Sequence, residues 1–374
     1  MKRYFLGLAA HFSKSERLRH TFAVGRKKDR KKLCQFLSQK YGGEAVLAKN
    51  GRSALAMALE AYFNPGDKIL VNGFTCYAVY EAVQTARLEP IFVDIDKSTL
   101  NFNLKTLERA INKDVKGIII QNSLGNPVDI KEIQKFAEKH NLTIIEDLAH
   151  CAGVNYPDGR EAGTVGSATA LSFGKDKSID TISGGAVVFR DSCKTMKGAR
   201  RISPKDFEPC LKPRLSDTMR ARFYPFFGAV ARKLAGVHLA GLWMRFLVKI
   251  HWVEKSADNK LDLNQKISKF EAKLALEQLE ALKKSGEGPL REFYLVENRS
   301  EVMKKLKKAG FFFDGFWYEK PVSPERYYKK VNFPEESCPV AVEVSQKIIN
   351  FPTYYNKKEL EPARKIVQKY MEEV

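Results

Sequence analysis

Cysteine is scarce in this chain and forms none of the spacings that hold metals or build disulfide frameworks. Six cysteines are spread over 374 residues, and no two of them stand as C-x-x-C. This scatter argues against a zinc site and a disulfide scaffold, and it favours a reduced, cytoplasmic setting. We therefore expect no bound metal. The six are Cys34, Cys76, Cys151, Cys193, Cys210 and Cys338.

Long apolar runs and nucleotide-binding signatures are also missing. The N-terminal segment has an apolar patch at residues 5–10 that charged residues soon interrupt, which makes a poor signal peptide. No run approaches the roughly 20 residues that a transmembrane helix needs. Gly174-Lys175 is followed by Asp176, which excludes a P-loop, and there is no G-x-G-x-x-G for a dinucleotide.

Negative charge is in short supply, because 64 basic residues face 44 acidic ones and leave a formal net charge of +20. Such a surplus suits nucleic acid, a membrane surface or an anionic substrate. The densest basic run, residues 26–32, continues into a helical pattern, so we interpret it as a solvated helix face. Since no RNA-binding aromatic signature accompanies it, nucleic acid is not the expected partner.

What the chain does contain is a regular alternation of strand and helix patterns. This alternation predicts an α/β fold in three αβα layers around a mostly parallel sheet, followed by a smaller C-terminal α/β domain. The predicted strands are 45–49, 68–71, 89–93, 116–120, 142–146 and 168–173, and the predicted helices are 53–63, 104–111, 130–140, 267–282 and 358–371.

Two of these strands end beside groups that suit one cofactor. The apolar run at 142–146 delivers Asp147 to its C-terminal end, and the run at 168–173 ends beside Lys175 and Lys177. Ligand crevices in open α/β sheets lie outside these strand ends. A carboxylate and an amine placed there suit pyridoxal 5'-phosphate (PLP), where the amine forms a Schiff base and the carboxylate keeps the ring nitrogen protonated. Taken alone, Asp147 would serve equally well as a helix N-cap.

Six motifs in the right order give the chain its resemblance to a known family. They are residues 50–55 (NGRSAL), 93–96 (VDID), 146–150 (EDLAH), 172–177 (SFGKDK) with Gly184-Gly185 after it, 264–279 (NQKISKFEAKLALEQL) and 338–345 (CPVAVEVS). Together they resemble the DegT/DnrJ-type sugar aminotransferases, which are PLP-dependent enzymes of fold type I.

The resemblance assigns roles that residue chemistry alone leaves open. The two lysines are indistinguishable by chemistry, but family spacing from Ser172 makes Lys177 the Schiff-base lysine in place of Lys175. It also makes Asp147 the partner of the pyridine nitrogen and places His150 near the phenolic oxygen of the cofactor. The residues that it assigns to the cofactor phosphate are Gly51, Arg52, Ser53 and Ser172 in the same chain and Asn264 from the partner subunit.

The clearest departure from the family follows Thr75. An aromatic residue usually stands there and stacks on the pyridine ring, whereas this chain has Cys76. We expect either that Tyr77 swings in to bind the ring or that stacking is weaker.

The resemblance implies a homodimer with a shared active site. Its predicted activity is amino transfer from an amino acid, glutamate or glutamine, to a nucleotide-linked keto-sugar. Relatives that dehydrate instead have His at the lysine position, so Lys177 argues against that reaction. Two other classes stay open: a non-catalytic sensor on this scaffold, and a peripheral-membrane assembly protein.

The last class depends on residues 204–260, a segment longer than its counterpart in the family. Between Thr218 and Val253 there is no Asp or Glu, while seven aromatic residues alternate with six Arg or Lys. We expect Gly236 and Gly241 to break this stretch into two helices. A membrane-surface role and a packing role are both consistent with this segment.

The predicted division of the chain is an N-terminal arm (1–25), a PLP-binding domain (26–203), the insertion (204–260) and a C-terminal domain (261–374).

Overall fold

A computed structural model describes residues 4–6, 12–190, 204–235, 239–253, 260–285, 289–313, 317–354 and 357–371. Its centre is a seven-stranded sheet in the order β2-β9-β8-β7-β6-β3-β5. β9 runs antiparallel to both of its neighbours, and the other adjacent pairs are parallel. The α/β fold with a mostly parallel sheet that the sequence predicts is confirmed.

The strands and helices alternate through the first half of the chain. The strands are β1 (Tyr4–Leu6), β2 (Glu44–Ala48), β3 (Lys68–Asn72), β4 (Thr75–Cys76), β5 (Glu89–Val93), β6 (Val115–Ile120), β7 (Thr143–Asp147), β8 (Ala168–Ser172), β9 (Gly185–Phe189), β10 (Arg291–Leu295), β11 (Phe311–Phe313), β12 (Val322–Ser323) and β13 (Ile348–Pro352). The helices are α1 (Lys14–Phe22), α2 (Lys27–Tyr41), α3 (Gly51–Tyr62), α4 (Tyr77–Thr85), α5 (Leu104–Ala110), α6 (Ile130–Lys139), α7 (Leu215–Ala235), α8 (Ala240–Lys249), α9 (Lys269–Ser285), α10 (Arg299–Lys308), α11 (Glu325–Tyr328), α12 (Pro339–Lys347) and α13 (Lys357–Gln368).

The central strands are apolar on both faces because helices cover both sides of the sheet. In β6, Ile119 belongs to the apolar cluster shared with α3 and α4, whereas Ile118 and Ile120 belong to the cluster shared with α2, α6 and α9. Successive side chains of a strand point to opposite faces, so a run of isoleucines fills two cores at once. This explains why the strand sequences read as continuous apolar runs.

Beyond the large sheet, a smaller apolar cluster joins β10, β11, β13, α10 and α13. The N-terminal strand β1 pairs in parallel with β11, so the start of the chain is attached to this C-terminal unit. In a fourth cluster, α7 and α8 pack against Phe12, Phe270 and Leu274.

The aromatic segment forms two helices, as expected, but one of the two predicted breaks is wrong. α8 begins at Ala240 and runs through Gly241 without interruption. A glycine inside a helix costs only about 1 kcal/mol relative to alanine, which is not enough by itself to break the helix. Gly236 lies outside the described residues. Among the described residues, no helix is both long and apolar enough to cross a bilayer.

Glu146 and Asp147 at the end of β7 point to opposite faces of the sheet, because successive residues of a strand alternate in direction. Glu146 is fully buried and accepts hydrogen bonds from the backbone N–H groups of Gly163 (2.7 Å), Val165 (2.8 Å) and Gly166 (2.6 Å). Arg190 Nη2 lies 3.2 Å from it. Glu146 therefore holds the turn between β7 and β8 and leaves Asp147 for the other side.

We expect Glu146→Gln to lower the free energy of unfolding by about 3 kcal/mol, because it removes one member of a buried, hydrogen-bonded ion pair. Urea unfolding of the purified protein measures this loss. Glu138→Gln on the exposed face of α6 is the matched control and should change the value by less than about 0.5 kcal/mol. An equal effect of both changes would show that Glu146 carries no special share of the stability.

Candidate functional site

The carboxyl ends of four sheet strands meet at one cleft. β2 leads into Gly51, β6 into Gln121, β7 ends at Asp147 and β8 ends at Ser172. All four residues line the same cavity. The strands run in the same direction, so their ends share one edge of the sheet, where α/β proteins place their ligands.

One corner of the cleft is the N-terminus of α3, packed closely against the end of β8. A Cβ on Gly51 would lie 2.5 Å from the Cβ of Ser172, so only glycine permits this approach. Asn50 caps the helix by accepting a hydrogen bond from the Ser53 N–H at 2.9 Å. The first N–H groups of a helix have no partner within the helix and attract anions. This corner therefore suits a phosphate group.

The side chain of Asp180 fixes the backbone of the loop that carries Lys177. Asp180 accepts hydrogen bonds from the backbone N–H of Asp176 at 2.7 Å and from that of Ile182 at 2.8 Å. The Thr181 N–H donates to the Phe173 carbonyl at 3.0 Å, which closes the loop. Lys177 is thereby held over the cleft by the backbone of its own turn.

The side chain of Lys177 contacts His150, and a backbone N–H on the far side of the imidazole ring orients that ring. The backbone N–H of Leu124 donates to His150 Nδ1 at 3.2 Å, so in the neutral ring the hydrogen lies on Nε2. Nε2 is 2.8 Å from Lys177 Nζ and 3.4 Å from the Tyr318 hydroxyl. If Lys177 is unprotonated, its Nζ can accept the hydrogen bond that His150 donates from Nε2–H.

The electrostatics of the cleft favour the same protonation states. Burial lowers the pKa of Lys177, and Arg291 adds to the shift while Asp147 opposes it. Burial also holds the pKa of His150 well below its usual range, and the charges of Lys177 and Arg291 lower it further. The side chains of Lys177 and Arg291 both lie over the ring of Trp317, with Nζ at 4.4 Å and Cζ at 4.8 Å from its centroid. The lowered pKa makes the neutral amine, which is the nucleophilic form of Lys177, easier to reach.

We expect Arg291→Met to move the pH dependence of cofactor attachment upward. Removal of this positive charge raises the pKa of Lys177, so its amine becomes neutral only at higher pH and attachment at pH 7 slows severalfold. The rate of absorbance change when PLP is added to cofactor-free protein, measured across pH, tests this. Arg299→Met, a part-buried arginine of the same unit, is the control and should leave the profile in place. An unshifted profile for Arg291→Met contradicts the assignment.

Asp147 lies at the floor of the cleft and is nearly inaccessible to solvent. Its Oδ1 accepts a hydrogen bond from the Ala149 N–H at 3.0 Å. Burial raises the pKa of this carboxyl, although the Ala149 N–H and Lys177 oppose the shift. A buried carboxylate of this kind is stabilised by a cationic partner within the cleft.

The structure separates the two candidate lysines. Both lysines line the cleft, but Lys177 contacts His150, whereas the Lys175 ammonium lies 4.2 Å from the ring centroid of Tyr224 on α7. Lys177 is thus placed among the predicted cofactor residues, and Lys175 lies toward the insertion.

These side chains fit PLP on the chemistry of the donor set. The cleft offers an amine at Lys177, a buried carboxylate at Asp147, and a helix N-terminus with a hydroxyl, formed by Gly51 and Ser172. They match the aldehyde, the pyridine nitrogen and the phosphate of the cofactor. His150 would donate its Nε2–H to the phenolic oxygen.

Six of the nine predicted cofactor residues line the cleft and three do not. Those that line it are Gly51, Arg52, Asp147, His150, Ser172 and Lys177. The Tyr77 ring instead stacks on Tyr327 at 4.4 Å, so the structure does not bring it to the cleft. Ser53 is buried beneath it and bonds to Asn50. Asn264 is exposed, two residues beyond Asp262, whose N–H donates to Ser53 Oγ at 3.0 Å.

Three residues in or beside the cleft are ones that the sequence does not predict. Tyr318 lines it directly, and its neighbour Trp317 stacks on the His150 ring at 4.9 Å. Arg291 is buried and donates from Nε to Asn350 at 2.6 Å. The rarity of tryptophan was the available signal, since the chain has only three. No local pattern places Arg291, because it comes from β10 of the C-terminal unit.

The insertion also borders the cleft. Asp217, Arg220 and Tyr224 on α7 line it from outside, together with Trp252 and Val253 that follow α8. Lys49 lies 4.0 Å from Asp217, which links the end of β2 to this helix. Part of the wall around the cleft is thus supplied by residues 204–260.

A family model described as the DegT/DnrJ/EryC1/StrS aminotransferase family matches residues 19–209, just over half of the chain. This range contains the residues after β2, β6, β7 and β8 that meet at the cleft. It also contains Lys177.

Two curated relatives differ in what their names describe. A "Pleiotropic regulatory protein" of Geobacillus stearothermophilus is 24% identical over 328 residues, which cover 86% of this chain and 83% of that protein. A "dTDP-4-amino-4,6-dideoxy-D-glucose transaminase" of Shigella dysenteriae is 36% identical over 158 residues, and the match covers 42% of each chain. This chain therefore spans less than half the length of the transaminase.

Among solved structures, the PLP form of the Streptococcus pneumoniae protein Spr1654 superimposes with a TM-score of 0.62. The match covers 96% of this chain and 97% of that one at 17% identity. Identity this low supports a shared fold and no finer conclusion.

Proposed function

Because the chain belongs to the DegT/DnrJ/EryC1/StrS aminotransferase family of PLP-dependent enzymes, we propose that it transfers an amino group from glutamate to a nucleotide-linked keto-sugar. The family and the cofactor predicted from the sequence are confirmed. The observation that carries the proposal is the pairing of Lys177 with His150 above the buried Asp147.

The side chains divide the work of such a reaction among them. PLP, when bound, supplies an aldehyde for the amine and a ring that accepts electrons released at carbon. The Lys177 amine would attach to that aldehyde and, when free, its Nζ would carry a proton from the α-carbon of the amino acid to the neighbouring carbon. Asp147 would hold the proton on the ring nitrogen. His150 would hold the ring by its Nε2–H, and Gly51 and Ser172 would hold the phosphate.

The charge of the cleft supports an anionic sugar substrate. Lys49, Arg52, Lys175 and Arg220 line it in addition to Lys177, and its acidic residues are Asp147 and Asp217. A diphosphate linker would gain from this excess, since fields from several cations add within a cleft. The transaminase relative from Shigella, named for a dTDP-linked amino sugar, supports the same substrate class.

We further propose a homodimer in which Asn264 reaches the cofactor phosphate of the partner subunit. Its exposed side chain lies close in sequence to Asp262, which contacts Ser53 at the phosphate corner. Mixed dimers test this. Lys177→Ala and Asn264→Ala chains each form impaired enzymes, but in a mixed dimer one site receives an intact Lys177 and an intact Asn264. Activity that does not recover on mixing would place Asn264 in its own subunit.

The division into an arm (1–25), a PLP-binding domain (26–203), an insertion (204–260) and a C-terminal domain (261–374) remains a proposal, as does a cytoplasmic location. The packing of α9 bears on the proposed boundary at residue 261. The apolar residues of α9, which begins after residue 261, pack in the same cluster as α2 and the large sheet.

A visible absorption spectrum of the purified protein tests the proposed function most directly. Bound PLP should absorb in the visible range, and glutamate should shift that absorption as the amino group moves to the cofactor. Addition of a nucleotide-linked keto-sugar should reverse the shift. The name of the Geobacillus relative favours a second candidate function, that of a regulatory protein. Such a protein would bind PLP or a ligand, but neither glutamate nor the keto-sugar would change its spectrum.

A further inference from the structure

A second cavity lies across α7 from the cleft, in a groove between α1 and α7. Its volume is about 830 Å³, in the range of about 300–1,000 Å³ that is typical of sites for organic molecules. We call it the α1–α7 groove. Its residues are Lys14, Arg17, Leu18, Thr21, Phe22, Phe223, Phe226, Phe227, Ala229, Val230, Lys233 and Trp252.

The walls of the α1–α7 groove are apolar and open to solvent. Leu18 is 52% exposed, Phe22 is 71% exposed and Phe226 is 55% exposed. Exposed apolar side chains are ordinary when single, but a contiguous set marks a site of interaction. A family substrate rich in hydroxyl and phosphate groups would not be drawn to such walls.

The rim of the groove is basic. Lys14 and Arg17 stand on α1 and Lys233 near the end of α7, and none of them belongs to an ion pair among the described residues. Glu16, the one acid of α1, is turned to its own helix cap and accepts from the Ser13 N–H at 2.7 Å. From Thr218 to Val253 the chain has no acid at all.

The apolar surface continues from the groove onto α8. Trp252 contacts Phe227 at 5.5 Å between ring centroids, and Phe227 contacts Trp243 at 6.3 Å, which in turn lies 6.0 Å from Phe246. Leu242, Phe246 and Ile250 are exposed, as are Arg245 and Lys249 between them. Aromatic and aliphatic side chains interleaved with cations are typical of elements that lie at a membrane surface.

We propose that this surface binds an anionic lipid bilayer, with an acyl chain in the α1–α7 groove and the lipid headgroups on Lys14, Arg17 and Lys233. A second copy of the chain is the competing occupant. A two-fold contact would set this basic, nearly acid-free surface against itself, so like charges would oppose it. The charge pattern therefore favours the lipid surface.

The groove and the cleft lie on two sides of one helix. On α7, Tyr224 lines the cleft, whereas Phe223 and Phe226 line the groove, and Trp252 borders both. The lipid proposal does not depend on which sugar the cleft accepts, because binding to vesicles is measured without any sugar substrate.

Co-sedimentation of the full chain with vesicles tests the binding. The protein should pellet with vesicles that contain about one quarter phosphatidylglycerol, stay in solution with pure phosphatidylcholine, and leave the anionic vesicles at about 0.5 M salt. Phe22→Ser combined with Phe226→Ser, and Lys14→Glu combined with Lys233→Glu, should each weaken binding about tenfold or more.

The matched controls lie outside the groove. Lys304→Glu combined with Lys307→Glu makes the same charge change on the exposed face of α10, and Leu211→Ser removes an exposed apolar side chain elsewhere in the insertion. Both should bind as the parent does. A parent protein that remains in solution at low salt, or control variants as weak as the groove variants, would overturn the proposal.

Fluorescence locates the acyl chain without relying on the folding of a groove variant. Vesicles with brominated acyl chains should quench the unmodified protein, and Trp252→Phe should remove most of that quenching. Quenching that is absent, or that is undiminished in Trp252→Phe, contradicts a chain in the groove. The molar mass in solution decides the competing occupant: if Phe22→Ser with Phe226→Ser halves the mass of a dimer, the groove is a subunit contact and the lipid proposal is wrong.

Discussion

Lys177→Ala should lower transaminase activity by at least about 10⁴-fold, or about 5.4 kcal/mol in the barrier. The change removes both the amine that bonds to the cofactor and the base that moves a proton during the reaction. His150 cannot replace it, because burial and the charge of Arg291 hold the pKa of this imidazole well below its usual range and its Nδ1 is occupied by the Leu124 N–H. Turnover with a keto-sugar substrate and glutamate measures the loss.

Lys175→Ala is the matched control two residues away. Lys175 lies over the Tyr224 ring, so its loss should leave the covalent bond to PLP intact and affect only contacts with the insertion. Borohydride reduction followed by peptide mapping should find the label on Lys177. A label on Lys175 would reverse the assignment of the two lysines.

Asp147→Asn is expected to retain PLP while lowering turnover at least about a hundredfold, or about 2.7 kcal/mol. The amide oxygen can still accept from the Ala149 N–H, so the end of β7 keeps its local structure. The neutral side chain no longer holds a proton on the ring nitrogen, and the ring then accepts electrons poorly. Absorbance of bound cofactor and turnover are measured on the same preparation.

Asp129→Asn, at the N-cap of α6, controls for the loss of one carboxylate elsewhere, since asparagine caps a helix as well as aspartate does. It should turn over as the parent does. If Asp147→Asn stays within about tenfold of the parent, Asp147 does not serve the ring nitrogen.

The C-terminal unit contributes side chains that surround Lys177 and His150. Trp317 touches the His150 ring, and the side chains of Lys177 and Arg291 lie over its own ring. A shift of this unit relative to the large sheet would therefore change the surroundings of the Lys177 amine. This links the position of the small unit to the reactivity of the lysine.

The sequence alone predicts the layers of this fold and the strand ends that carry the chemistry. Ile118, Ile119 and Ile120 read as a strand buried on both faces, and the runs before Asp147 and Ser172 read the same way. These features are local: periodicity, strand length and the direction of a parallel sheet decide them without knowledge of distant contacts. Family spacing then distinguished Lys177 from Lys175.

Only the tertiary structure decides which side chains complete the cleft. Tyr77 turns to Tyr327 because α11 offers it an aromatic partner, and Arg291, Trp317 and Tyr318 arrive from more than a hundred residues away. The orientation of His150 depends on the backbone N–H of Leu124, and the α1–α7 groove on the packing of an N-terminal helix against the insertion. Such contacts join segments that are distant in the chain, and no local pattern encodes them.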